Sequence, residues 1–139
     1  MPKDHWFLAE LHLSTGVVTF YDSLGTPEVE DRPDFLKMRA TLEEMLPKYL
    51  SLCNVFKAKS MSRSKYKIKF GVAKNVPIQA DRYGDCGVWV CIFLHRLGNN
   101  ISIQVDDPLA VALAYREQMT AYFWKYKVNY DPKNDNSSL

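Results

Sequence analysis

Apolar and polar positions alternate, cluster and recur along this chain in ways that predict its elements. Residues 6–13 and 17–22 are rich in aromatic and β-branched side chains, and Ser14-Thr15-Gly16 lies between them, which predicts a β-hairpin turning near Thr15. A stretch from Ser23 to Arg32, with Gly25, Pro27 and several acids, predicts a loop. From Pro33 onward, Phe35, Leu36, Met38, Leu42, Met45 and Leu46 recur at helical spacing. Pro47 interrupts that helix, so a kink or a second short helix is expected through about Leu52. Tyr66, Ile68 and Phe70 then alternate with lysines, the pattern of a strand with one solvated face. Residues 75–85 read as a loop. Residues 86–97 are apolar almost all round and close at Gly98, which predicts a helix buried in the core and capped by glycine. Asp106 or Asp107 with Pro108 opens a last helix through about Lys127, and a polar tail follows from Asn129. Strands and helices are mixed rather than alternating as βαβ units, so the expected class is α+β.

Composition narrows the picture without deciding it. At 139 residues the chain has the size of one domain, and its apolar and charged fractions, 47% and 24%, are those of globular proteins. A net charge of +2 is too small to imply a polyanionic partner. The basic run from Lys57 to Lys74 is read as a solvated face, with nucleic acid not expected as a partner. No apolar run reaches membrane-spanning length, so no membrane partner is expected, nor is a secretory leader visible. The three cysteines, Cys53, Cys86 and Cys91, lack close-set metal spacing. They are expected to be reduced thiols in the nucleus or cytoplasm, with no metal or cofactor, and a monomer is the favoured state. Cys91 and His95 lie one helical turn apart, but two ligands without two more make a poor metal site.

Candidate chemistry centres on Cys86. Starting a helix, its sulfur would sit near unsatisfied backbone N–H groups, where the helix dipole favours a thiolate. The plainer reading of such a residue is a small core cysteine, and Cys53 and Cys91, within apolar helical patterns, are read that way. A nucleophilic thiol needs a base. His95, nine residues along the same helix, lies about 13 Å away along the axis. His12 sits near the hairpin turn, which leaves His5. Asp22 falls toward the same end of the hairpin and would hold the imidazole through Nδ1, leaving Nε2 for the cysteine. Simple pairing about Thr15 leaves the two residues about 10 Å out of register. Gln79, on the loop before Cys86, offers a side-chain amide that, with the Cys86 N–H, would receive an oxyanion.

Taken together, His5-Trp6, Tyr21-Asp22-Ser23-Leu24, Val76-Pro77-Ile78-Gln79 and Asp85-Cys86-Gly87-Val88-Trp89-Val90-Cys91 stand in the order found in the ubiquitin-like-protein-specific proteases. The chain resembles that family, which includes the SUMO proteases and relatives of adenovirus protease. The resemblance implies a papain-like fold with a central mixed or antiparallel sheet. It also implies cleavage after the C-terminal Gly-Gly of a ubiquitin-like modifier, through a thioester. SUMO is the expected modifier, NEDD8 a second, and their conjugates the partners. On that reading His5 is the general base and acid, Asp22 its orienter, Cys86 the nucleophile and Gln79 the oxyanion donor. Trp6 would roof a tunnel that admits only glycines. Two departures accompany the match. The Gln79–Cys86 spacing is one residue longer than usual, and only four residues precede His5, where the family carries a substantial segment. The catalytic domain is therefore expected over residues 1–128, truncated at its N-terminus, with a flexible tail at 129–139. The alternative expectation is a weak or inactive relative that acts as a modifier- or protein-binding module.

Overall fold

The structure, a computed structural model, describes residues 5–25, 33–80 and 84–126. The tail expected at 129–139, most of the loop expected before Pro33, and the extra length at 81–83 lie outside the described residues. Strands β1 (Leu8–His12), β2 (Val17–Tyr21) and β3 (Lys69–Val72) form one three-stranded sheet in the order β1-β2-β3. β1 and β2 are the expected hairpin, antiparallel, with Leu8 opposite Tyr21 and His12 opposite Val17. Its loop spans residues 13–16 and ends on Gly16 at φ 72°. A Cβ at Gly16 would stand 2.3 Å from the Lys67 carbonyl oxygen, so both the backbone angle and the close approach of the chain require glycine there.

β2 pairs with β3 in parallel. Parallel neighbours need a long crossover, and helices α1 (Pro33–Leu52) and α2 (Val55–Ala58) supply it. The molecule therefore contains a βαβ unit that the expected arrangement lacked, within a mixed α+β fold. Pro47 does not end α1; it lies inside the helix, buried. Helix formation breaks instead at Asn54, in the left-handed region at φ 57°, and α2 follows it, beyond the Leu52 boundary expected for a second helix. Cys53, in the intervening turn, is exposed rather than part of the core. The lysine alternation holds, with Ile68 buried and Lys67 and Lys69 exposed, although the regular strand starts only at Lys69.

β2 occupies the centre of the sheet and sends its side chains into two cores by strand alternation. Val18 and Phe20 pack with Phe35 and Ile68, flanked by Phe7, Leu11, Met38, Leu42 and Leu46. Tyr21, on the other face, packs with Trp89, Ile92, Phe93 and Ala112. Those residues belong to α3 (Cys86–Gly98) and α4 (Pro108–Tyr126). α3 starts on the expected residue but is buried on one side only: Cys86, Trp89, Ile92 and Phe93 face inward, while Leu94 and His95 are exposed. Its end is also made differently. Gly98 remains helical, and Asn100 takes the left-handed position at φ 55°. Asp107 caps α4, accepting the Ala110 N–H at 3.0 Å. No helix among the described residues is long and apolar enough to cross a membrane.

Candidate active site

The pairing of β1 and β2 decides how His5 meets Asp22. Leu8 pairs with Tyr21, so Asp22 is level with Phe7, and His5 lies two residues beyond it. That offset is about 7 Å of extended chain, which an imidazole and a carboxylate span together. His5 Nε2 lies 2.8 Å from Asp22 Oδ1, with both side chains almost wholly buried, 3% and 2% exposed. The nitrogen bound by the acid is therefore Nε2, where Nδ1 was expected, and Nδ1 is the ring atom turned away from the carboxylate. The His5 ring lies 6.2 Å from Phe7, whose own ring contacts Phe20 and Phe35. The imidazole is thus seated on the rim of one core.

Asp22 is fixed by the turn that ends β2. Its Oδ1 also accepts the Leu24 N–H at 2.9 Å, and Gly25 N–H donates to the Asp22 carbonyl at 3.2 Å. Gly25 takes φ 58°, and a Cβ on it would strike the Ile78 side chain at 1.8 Å. The turn therefore presses directly against the segment that leads to Gln79. Ser23 completes that contact twice. Its carbonyl accepts the Gln79 N–H at 2.9 Å, and its hydroxyl donates to Gln79 Oε1 at 2.8 Å. Ser23 and Gln79 are both buried.

Cys86 reaches the site on a different layer. It is the first residue of α3 and is 8% exposed. Asp85 before it is held by Arg116 of α4, which forms a salt bridge with Oδ1 and donates to the Gly84 carbonyl at 2.9 Å. α3 is set against the sheet through Phe93, 6.0 Å from the Tyr21 ring, and through Trp89, 5.4 Å from Phe93. Among the described residues no hydrogen bond joins Cys86 to His5. The structure thus joins His5 to Asp22 and Gln79 to the Asp22–Ser23 turn, and sets the thiol at the start of a helix that packs on Tyr21 through Trp89 and Phe93. Trp6, next to His5, is 66% exposed.

Two residues that sequence reasoning left without a role, Ser23 and Arg116, hold this arrangement together. Ser23 stands in a recognisable motif, yet its partner is 56 residues away. Arg116 sits in a helix with no local signal that its guanidinium would reach Asp85. The other histidines are accounted for. His12 is exposed and pairs with Thr15 Oγ1 at 2.8 Å, and His95 is exposed near the far end of α3. Tyr21, beneath the site, donates to Glu10 at 2.7 Å. Burial, then the hydrogen bond and negative charge of Glu10, push its phenol up to about 12.

A helix that opens on a cysteine, packed against a sheet whose edge carries a histidine–carboxylate pair, is the layout of the papain-like cysteine peptidases. The chain belongs to the Ulp1 protease family, C-terminal catalytic domain, whose model it matches over residues 2–134. It is also similar to two solved structures. One is the SUMO protease Ulp1 with its catalytic cysteine oxidised to a sulfenic acid: TM-score 0.58, 18% identity, 93% of this chain and 51% of that one. The second is the same protease with that cysteine oxidised to a sulfinic acid: TM-score 0.48, 20% identity, 83% of this chain and 46% of that one. The chain therefore spans about half the length of the solved chains it matches. No curated protein sequence matches it.

Proposed function

We propose that this chain carries the catalytic centre of a cysteine peptidase. Its substrate on this reading is the bond after the C-terminal Gly-Gly of a ubiquitin-like modifier, SUMO-like in the first instance and NEDD8-like in the second, and the conjugates of that modifier. The observation that carries the reading is the buried His5–Asp22 hydrogen bond in a member of the Ulp1 protease family. With Asp22 on Nε2, His5 takes the Cys86 proton on Nδ1. The thiolate attacks the glycine carbonyl carbon, and the carbonyl oxygen becomes an oxyanion. Two donors suit that charge: the Cys86 N–H, which has no acceptor within its own helix, and the Gln79 amide. The imidazolium then protonates the leaving nitrogen as the C–N bond breaks, leaving a thioester on Cys86. Water, deprotonated by His5, attacks the thioester, and the carboxylate leaves as the sulfur regains its electrons. Trp6, exposed beside His5, offers a flat wall against a chain without Cβ atoms. A thiol used in this way must be kept reduced, as it is in the nucleus or cytoplasm.

The test is covalent labelling with SUMO, NEDD8 and ubiquitin carrying a C-terminal electrophile, run on the protein beside its Cys86→Ala variant. The expected result is an adduct with SUMO that is absent from the variant. A folded protein that forms no adduct with any of the three, yet binds a modifier, would replace this reading with that of a binding module.

A further inference from the structure

The geometry points to Ser23 as a positioning residue for acyl transfer, one that sets which end of the Gln79 amide faces the reacting carbonyl. This inference rests on the peptidase reading above. An amide can occupy one site in two orientations that differ only by exchange of oxygen and nitrogen. Gln79 is buried, and its backbone is pinned by its own N–H to the Ser23 carbonyl at 2.9 Å. On the side chain, the Ser23 hydroxyl donates to Oε1 at 2.8 Å. If the amide turned over, Nε2 would face the hydroxyl oxygen, and the hydroxyl proton would need another acceptor. Ser23 is 1% exposed and has none among the described residues, so turning the amide would leave a buried donor unsatisfied. With Oε1 held by Ser23, Nε2 is the arm of the amide left to act as the oxyanion donor that the peptidase reading requires. The same turn holds Asp22, so one four-residue segment orients both the base, through His5, and the oxyanion donor.

The experiment compares Ser23→Ala, Ser23→Cys, Gln79→Ala and the Ser23→Ala/Gln79→Ala double variant in the full chain. Turnover is read with a SUMO-like modifier carrying a C-terminal fluorogenic amide. Cys86 alkylation by iodoacetamide is read separately, because it needs the thiolate but forms no oxyanion. Loss of an oxyanion donor costs about 100-fold or more in kcat, and a donor loosened rather than lost should cost about tenfold. Ser23→Ala is therefore expected to lower kcat about tenfold with KM and alkylation unchanged. Ser23→Cys, which keeps the volume and a weak donor, should fall between. The double variant should be no worse than Gln79→Ala alone. Additive losses, a parallel fall in alkylation, or a Ser23→Ala variant with wild-type kcat would overturn the assignment while the peptidase reading stands. A wild-type protein with neither turnover nor selective alkylation at Cys86 would sink that reading and this inference together.

Discussion

Replacing Asp22 by asparagine separates the charge of this residue from its geometry. Two donors, the Leu24 N–H at 2.9 Å and His5 Nε2 at 2.8 Å, converge on the same atom, Oδ1. An asparagine that keeps its oxygen in that position retains both bonds, so the imidazole stays where it is and Nδ1 still faces away from residue 22. What disappears is the negative charge that favours the imidazolium. A hydrogen bond to a charged group contributes about 1.5–3 kcal/mol and a neutral one about 0.5–1.5 kcal/mol, a difference of about 1–2 kcal/mol. At 1.36 kcal/mol per tenfold, that is a fall of about 5–30-fold in kcat/KM. Stability should fall less than when the side chain is removed. Asp22→Ala differs, because it leaves both donors without their acceptor in a site where the side chains are 2–3% exposed. It should lower stability by about 2–4 kcal/mol and activity by more than the asparagine variant. Turnover of a modifier with a fluorogenic C-terminal amide, with urea unfolding on the same samples, measures both. If Asp22→Asn is as active as wild type, the carboxylate only holds structure. If it is as dead as Cys86→Ala, asparagine has not kept the ring in place, and the single-atom argument is wrong.

Three further outcomes follow from named contacts. Tyr21 has its phenol pushed up to about 12 by burial and by Glu10. The folded state thus holds that proton more tightly than the unfolded chain, and the resulting stability is complete below about pH 10 and is lost as pH rises from 10 toward 12. Urea midpoints across that window should fall more steeply for wild type than for Tyr21→Phe, and equal slopes would remove the claim. Gly16→Ala meets both a left-handed φ and the Lys67 carbonyl at 2.3 Å, and should cost about 2–4 kcal/mol in urea unfolding. Gly84→Ala, at φ 97° with nothing within 4 Å, should cost only about 1 kcal/mol, and a reversed order would contradict the packing. Arg116→Ala removes a half-exposed ion pair, so stability should stay within about 1 kcal/mol. Turnover should still fall about 3–10-fold as Gly84 and Asp85 lose their anchor beside Cys86, and unchanged turnover would show that the α3 N-terminus is held without it.

What the sequence disclosed and what it withheld divide by range of interaction. The hairpin, the start of α3 on Cys86 and a cap of α4 at Asp106 or Asp107 are local, and composition and spacing reveal them; the structure selects Asp107. The hairpin register came out one residue nearer than symmetry about Thr15 suggests, because the loop spans residues 13–16 and closes on a left-handed Gly16. Pro47 was expected to kink α1 or start a second short helix, yet one helix runs through it to Leu52, with Pro47 and Leu50 both buried, offsetting the missing hydrogen bond. Cys53 looked apolar in context, but the turn at Asn54 carries it out of the helix and into solvent. The parallel pairing of β3 depends on a crossover through two helices, and no window of sequence contains it. The same holds for Ser23 with Gln79 and for Arg116 with Asp85. The residues proposed to carry the chemistry are visible as a motif, whereas those that hold them are visible only once the chain has folded.

The two groups of site residues belong to different layers of the molecule. His5, Asp22 and Ser23 are fixed to the ends of β1 and β2, and Gln79 is fastened to them by its two hydrogen bonds with Ser23. Cys86 belongs to the α3–α4 layer, where Arg116 holds the preceding Asp85 and Gly84. The layers meet where Tyr21 packs on Phe93 and Trp89. Packed apolar contacts of this kind shift little under load, so on the proposed reading this interface is what holds the Cys86 layer against the His5 layer. On that reading, substitutions at Tyr21 or Phe93 are expected to act on the nucleophile–base distance without touching a reacting atom. Substitutions at Ser23 are expected to act chiefly on the oxyanion side. Alkylation of Cys86, which senses the base, and acyl transfer, which senses both, together tell the two effects apart.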